Sequence, residues 1–467
     1  MTPRTILQFA LGPLGGAALG LVTLPIITWL FSQDDVGRFS MLQVTLSFGT
    51  LLFSLGLDQA YVREFHEVND RPLLLKLVVL PGFALLMVVL LAILVLGPEL
   101  ASWLFSVPSR ELSYLVAVCL LATFLSRFLS LVLRMNERAL AFSMSQVLPK
   151  VLLLFLLCAF IFLDAERSLE NLVLANTLAL VLVSGFYSWN TRSEWRLAIS
   201  KKIDPVRTRS LLAFGLPLTL GGLAFWGLTA IDKLFLRLLT SYEQLAVYSV
   251  AVSAAAAAAV LQSVFSIVWA PTVYKWASRG EESDKIVDVM RYVLICVITL
   301  FSLAGMFSWV VPLLLPSGYE QVQWILVSCM AFPLLYTLSE ATVVGIGLSR
   351  RSSFAMLAAA IAFVVNVLGN WLLIPMFGAS GAAVSTCVSF FMFFILRTEF
   401  SAYLWHRFPR SCLYWYSTIL VSGAVFTTLF GRSTGHLVVA FWALVLLSVP
   451  FVFWKDMLRA YSFVFRR

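Results

Sequence analysis

The sequence predicts an all-α polytopic membrane protein with about fourteen transmembrane helices. Three observations lead there: 61% of the 467 residues are hydrophobic and only 12% charged, the mean hydropathy is +0.93, and apolar runs of spanning length recur with short polar breaks between them. So little polar surface cannot cover a water-soluble globule, so the solvent is lipid.

The first run follows Met1-Thr-Pro3-Arg4-Thr without a small-residue cleavage site, and an uncleaved first span centred near residue 18 is expected. Spans two to six follow near residues 48, 84, 122, 152 and 180. They stop at the longest polar stretch, Asn190 to Arg209, whose Arg192, Arg196, Lys201, Lys202, Arg207 and Arg209 make it a basic interfacial linker. Eight more spans are expected near 222, 254, 300, 334, 362, 390, 421 and 445. The resulting division is an N-terminal six-helix lobe (1–190), a cytoplasmic basic linker (191–209), a C-terminal six-helix lobe (210–403), and an additional helix pair with the C-terminal tail (404–467).

Charge tests this threading. With both termini cytoplasmic, most of the 33 Lys and Arg fall in loops of that one side, including Arg63, Arg134, Arg350, Arg351 and Arg397. Only Arg38, Arg110, Arg167, Arg237 and Arg432 fall opposite, and Arg127, Lys150 and Lys233 fall within spans. The net charge of +9 is thus mainly an orientation signal; aromatic and basic residues are not interleaved as a nucleic-acid surface requires.

The chain starts again after the linker. Pro13-Leu14-Gly15-Gly16 has a counterpart in Pro217 to Gly222, and Ser32 to Ser40 aligns with Ser241 to Ser249, with acidic, aromatic and serine positions in register. An even number of spans separates the copies, so both enter the membrane in the same direction, as parallel repeats do.

The run Ala230-Ile231-Asp232-Lys233 to Arg237, followed by Glu243 to Ser249, resembles the polysaccharide-transporter (O-antigen flippase) branch of the multidrug/oligosaccharidyl-lipid/polysaccharide exporter superfamily. Asn366 to Ala383 resembles that family's late-helix signature, a glycine-rich turn joining spans eleven and twelve, and Trp269 to Lys275 its end of span eight. The resemblance covers spans one to twelve. Two departures stand out: Ala246 replaces the Gly37 of the first copy, and Lys233 replaces the usual Arg after the span-seven Asp. The resemblance implies two six-helix bundles in a V and two additional helices. It also implies alternating-access export, across the bacterial cytoplasmic membrane, of an undecaprenyl-pyrophosphate-linked repeat unit of O-antigen or exopolysaccharide. Membrane lipid, H+ or Na+ as coupling ion, and polysaccharide polymerase and glycosyltransferases as partners belong to the same expectation.

Charges held inside a bilayer usually face a cavity or a partner, since they cost about 2.5–3.5 kcal/mol on insertion scales. Lys150 lies near the middle of span five, and Arg127, Ser130 and Arg134 share one face of span four. Arg forks and Lys point charges suit a pyrophosphate. Lys150 and Arg127 are therefore the expected headgroup contacts, with Arg63 and Arg134 at the cytoplasmic mouth, where plain anchoring to the membrane surface is the alternative. Among the acids, Asp232 lies near the outer end of span seven, where it pairs with Lys233 or takes a gating or ion-linked role. Glu340, beside Ser339 and Thr342, is a candidate proton carrier, and Asp58 either joins the coupling groups or sits in an internal network with Arg63. Asn366 and Asn370 share one face of span eleven and bond sugar hydroxyls or a neighbouring helix.

Alternatives on the same scaffold are a flippase for the peptidoglycan lipid precursor and a multidrug exporter; the deep basic residues favour an anionic cargo. A membrane polysaccharide polymerase or ligase needs a larger outer loop than any here. No Walker sequence is present, so the chain is expected to be no ATPase and no enzyme. The six cysteines and three histidines show no metal-ligand spacing, and no cofactor is expected.

Overall fold

Serine caps open three of the long helices of the N-terminal half. Ser32, Ser109 and Ser168 each accept the backbone N–H three residues on, from Asp35 (3.1 Å), Leu112 (3.2 Å) and Asn171 (3.4 Å), satisfying a donor that the helix itself cannot. The computed structural model describes residues 3–96, 99–277, 279, 283–405, 408–456 and 458–459, and among these the chain is helical with no strands. The helices of the first half are α1 (Pro3–Leu30), α2 (Gln33–Ser54), α3 (Leu57–Glu64), α4 (Arg71–Leu96), α5 (Leu100–Phe105), α6 (Arg110–Met135), α7 (Ala139–Phe162), α8 (Leu169–Asn190), α9 (Arg192–Ser200) and α10 (Pro205–Leu239). The second half has α11 (Tyr242–Ala277), α12 (Ser283–Phe307), a 3₁₀ turn (Ser308–Leu314), α13 (Val322–Cys329), α14 (Ala331–Thr342), α15 (Val344–Leu348), α16 (Ser352–Phe377), α17 (Ala379–Leu404) and α18 (Ser411–Val452).

Among the described residues, twelve stretches are long and apolar enough to cross a membrane, with α13 and α14 together forming one of them. α1 adds the apolar stretch Leu14–Leu30. α18 is two spans in one: its backbone leaves helical geometry at Thr434 (φ −125°, ψ 26°), and its arms fold onto each other, with Trp442 Nε1 donating to Thr427 Oγ1 at 3.0 Å. Among the described residues, the α1 stretch and the two arms of α18 bring the apolar segments to the fourteen expected. Large apolar side chains such as Phe162, Leu220, Trp371 and Phe451 are exposed, as suits a surface that meets acyl chains.

The chain forms two compact units, 1–226 and 227–467, dividing within α10 and beyond the basic stretch. Much of that stretch is the short helix α9, clamped to its own unit from both ends. Lys76 Nζ donates to the carbonyls of Ile199 (2.8 Å) and Lys201 (2.6 Å), and Trp195 Nε1 donates to Ser188 O (2.8 Å). Lys201 in turn donates to Asp70 at 2.7 Å, and that bond holds the Asp70 carboxyl below its usual range, helped by the Leu73 N–H.

In the first unit, α1 lies on α7 through Gly12, Gly16 and Gly20, spaced four apart on one face. A Cβ at Gly12 would stand 2.9 Å from the Ser143 Cα, so the backbones meet there with no side chain between them. The repeat is visible at the corresponding turn of the second unit: Ser241 opens α11 as Ser32 opens α2, accepting from Gln244 N (3.4 Å) and Leu245 N (3.2 Å). Gly378 makes the tight turn from α16 to α17 with φ 55° and ψ −127°, a conformation suited to glycine, and Gln244 Oε1 accepts from Ala379 N at 2.9 Å just after it.

Candidate functional site

Two polar sites stand out, one in each unit. In the first unit, Ser47, Thr50 and Ser54 recur at one helical face of α2, and Thr123, Ser126, Arg127 and Ser130 at one face of α6. These faces line a cavity of about 430 Å³ between α2, α6 and α8, which continues into one of about 220 Å³ reaching Ser145 and Pro149 of α7; Thr50, Thr123, Arg127 and Leu180 belong to both. Ser126 Oγ is buried without a hydrogen-bond partner among the described residues. Trp226 Nε1 donates to Ser47 Oγ at 3.0 Å, with its ring centroid 4.9 Å from that of Phe48.

Arg127 is held by Asp58: Nη2 and Nε reach the same carboxylate oxygen, Oδ2, at 2.6 and 3.2 Å. Asp58 is 8% exposed and Arg127 43% exposed at the side chain, so the acid is buried while the guanidinium still reaches the cavity. The internal network expected between Asp58 and Arg63 is corrected here. Two successive left-handed residues, Leu55 and Gly56, break α2 from α3 and turn Asp58 inward toward α6. Arg63 lies exposed over the Phe214 ring, 4.4 Å from its centroid, and Arg134, in the last turn of α6, lies exposed with its guanidinium 5.8 Å from the Phe142 ring. Lys150 sits mid-way along α7, half-buried, and its Nζ donates to the Gly16 carbonyl of α1 at 2.5 Å. It does not line the cavity that Arg127 lines.

In the second unit, Asp232 of α10 is 1% exposed. Its Oδ1 accepts from Asn370 Nδ2 (2.9 Å); its Oδ2 accepts from Thr386 Oγ1 (2.7 Å) and from the Tyr248 hydroxyl (2.5 Å). Asn370 also donates to Asn366 Oδ1 (3.0 Å), and Asn366 Nδ2 donates to Thr386 Oγ1 (3.3 Å). Asp232 pairs with no cation among the described residues; Lys233, its half-buried neighbour, makes no ion pair with it. The pairing of Asp232 with Lys233 is corrected to a carboxylate held by neutral donors. Asn370 Oδ1 is buried without a donor among the described residues, so the cluster holds a spare acceptor oxygen beside the carboxylate. What brings α16 and α17 close enough for this is glycine: a Cβ at Gly381 would stand 2.3 Å from Leu373 O.

Glu340 is ion-paired: Arg397 Nη2 donates to its Oε1 at 2.8 Å. The placement of Arg397 in a loop is corrected, since it is a buried residue inside α17 (8% exposed). The polar run Arg397-Thr398-Glu399 interrupts the apolar pattern without interrupting the helix.

A profile described as "Polysaccharide biosynthesis protein" matches residues 4–276, more than half of the chain. The chain belongs to that polysaccharide biosynthesis protein family. No curated protein matches the sequence. Among solved structures, the fold of this family member is similar to the lipid II flippase MurJ in an inward closed conformation, at 13% identity and a TM-score of 0.68, covering 96% of this chain and 99% of that one. It is also similar to the MATE multidrug transporter DinF-BH, at 15% identity and a TM-score of 0.62, covering 86% of this chain and 96% of that one. The MATE transporter VcmN of Vibrio cholerae in its bent form matches at 14% identity and a TM-score of 0.55, covering 86% and 97%. At these identities the likeness establishes the multi-pass helical fold. The roles of the two polar sites rest on their own geometry.

Proposed function

We propose that this member of the polysaccharide biosynthesis family is a carrier, not an enzyme, that moves an undecaprenyl-pyrophosphate-linked oligosaccharide across the bacterial cytoplasmic membrane by alternating access. The observation that carries the reading is the first-unit cavity, in which hydroxyls of α2 and α6 surround one guanidinium. Hydroxyl-lined walls trade hydrogen bonds with sugar hydroxyls, and Arg127 adds a donor fork for an anionic oxygen. The similarity to a lipid II flippase and the family's description support a lipid-linked glycan over a drug. Lys150 serves the same cargo from the α1–α7 seam, with Arg134 and Arg63 drawing anionic headgroups toward the cytoplasmic mouth. Both termini are cytoplasmic in this reading.

Coupling is assigned to Asp232. A buried carboxylate held by neutral donors and in no ion pair among the described residues, beside the spare oxygen of Asn370, suits a proton or a sodium ion that enters and leaves during transport. Lys233 adjoins that site, while Asp58 and Glu340 act as charge partners of Arg127 and Arg397, either pair being a latch that opens with the cycle.

Deleting the gene in its native host and identifying the lipid-linked oligosaccharide that accumulates tests the cargo. Accumulation of an undecaprenyl-pyrophosphate repeat unit on the cytoplasmic side, rescued by wild type and not by Arg127→Ala at equal abundance, is expected. Intact surface glycan with no accumulation would sink the reading.

A further inference from the structure

The second unit contains another cavity, of about 360 Å³, to which no member of the Asp232 cluster contributes. Its walls include Trp269 and Tyr274 of α11, Glu340 of α14, Arg350 in the α15–α16 turn, Ser352 of α16 and Arg397 of α17. Two guanidinium groups face one carboxylate, which leaves one positive charge in excess.

Each donor is placed for an anion. Arg397 is fixed by bonds from Nη2 to Glu340 (2.8 Å) and from Nη1 to Ser339 Oγ (2.7 Å), yet its buried Nε has no acceptor among the described residues. Arg350 is exposed and makes no ion pair among the described residues. Its backbone is left-handed (φ 56°) where α15 ends, with Arg350 N bonded to Gly347 O (3.2 Å) and Arg351 N to Ile346 O (3.3 Å). Helix ends of this kind favour glycine, so an arginine there keeps its side chain against a backbone preference. The cavity also meets the N-terminus of α16, a helix of 26 residues whose N-cap, Arg351, makes no side-chain capping bond. The first-turn N–H groups of such a helix carry partial positive charge and accept an anion readily.

We propose that this cavity binds a phosphate group, gripped by the Arg350 fork, the amides that open α16 and the Ser352 hydroxyl, over a floor made by the Arg397–Glu340 pair, whose Arg397 Nε still offers a donor. An Arg fork and a helix N-terminus together match the several acceptor oxygens of phosphate better than the single acceptor of a neutral sugar ring. The phosphate comes either from the pyrophosphate of the proposed cargo, in which case the site rests on that reading, or from the headgroup of an anionic phospholipid.

The test uses the full chain in phosphatidylcholine nanodiscs, titrated with fluorescent undecaprenyl pyrophosphate or fluorescent phosphatidic acid, with inorganic pyrophosphate as competitor. Wild type is expected to show a saturable, competed component with at least one probe. Arg350→Gly should weaken that component tenfold or more while leaving the melting temperature unchanged or higher, because glycine suits φ 56°; Arg350→Lys should fall between. The probe whose binding is lost identifies the source. No saturable component with either probe, or binding within twofold of wild type in Arg350→Gly, overturns the site. Glycan export failing to depend on the chain at all defeats the proposed function instead, and leaves phosphatidic acid binding as a separate result.

Discussion

Asn370 donates its amide hydrogen to Asp232 across 138 residues of sequence, at 2.9 Å, in a place where Asp232 is 1% exposed and pairs with no cation among the described residues. A bare carboxylate is expensive to bury. Three neutral donors, from Asn370, Thr386 and Tyr248, offset part of that cost here.

Replacing Asp232 separates structure from coupling. Asp232→Ala removes the acceptor of the Tyr248 and Thr386 hydroxyls and of one Asn370 amide hydrogen, and each buried donor so orphaned costs about 1–3 kcal/mol, so a clear fall in melting temperature is expected. Asp232→Asn keeps the shape and most of the bonds. It should keep abundance and melting temperature near wild type and lose ion-driven transport tenfold or more; full transport by this variant would remove Asp232 from the coupling role.

The Arg127–Asp58 pair has its own signature. Arg127→Ala leaves a carboxylate that is 8% exposed without its partner, a loss of about 1–3 kcal/mol after allowing for the exposure of Arg127. Asp58→Ala/Arg127→Ala together should be more stable than the sum of the two single changes predicts, which a double-mutant cycle on thermal stability measures. Simple additivity would show that the pair is incidental.

Glycines of α1 give a paired comparison. Gly12→Leu forces a side chain into a space where even a Cβ stands 2.9 Å from the Ser143 Cα, and should cost about 1–3 kcal/mol and lower abundance. At Gly20 a Cβ meets only Lys150 Nζ, at 2.9 Å, the mobile end of a side chain. Gly20→Ala should therefore fold normally but displace the Lys150 amine from Gly16 O, and reduced glycan export at normal abundance is the expected reading. Unaltered export would reduce Lys150 to a packing residue.

Orientation is checked with reporters. A fluorescent protein fused after residue 467 should fluoresce and a phosphatase fused there should be inactive, since both termini are read as cytoplasmic from the charge asymmetry. The opposite pattern would invert every side assignment.

Much of the fold is legible in the sequence. Hydropathy runs located the spans because lipid demands a continuous apolar stretch, and the kink at Thr434 only merges two of them. The Asp232, Asn366 and Asn370 positions were recognisable as polar groups in apolar helices. Their convergence was not, because it depends on how closely α17 crosses α16 at Gly381. The hydroxyl faces of α2 and α6 carried a readable signal, Ser and Thr spaced three and four apart, which a search for formal charges passes over. Likewise the Gly12, Gly16 and Gly20 spacing marked the α1–α7 seam. The position of Arg397 is not legible, because a short polar run looks like a loop when its partners, Glu340 and Ser339, lie on another helix.

The most direct measurement is translocation in proteoliposomes. Purified chain is reconstituted with a short-chain, fluorescent polyprenyl-pyrophosphate oligosaccharide, and the fraction of probe reaching the opposite leaflet is followed by a membrane-impermeant quencher under imposed proton or sodium gradients. Gradient-dependent movement of the probe is expected, reduced tenfold or more by Asp232→Asn and by Arg127→Ala. Movement no faster than in protein-free vesicles under either gradient, from protein shown to be folded, would overturn the carrier reading.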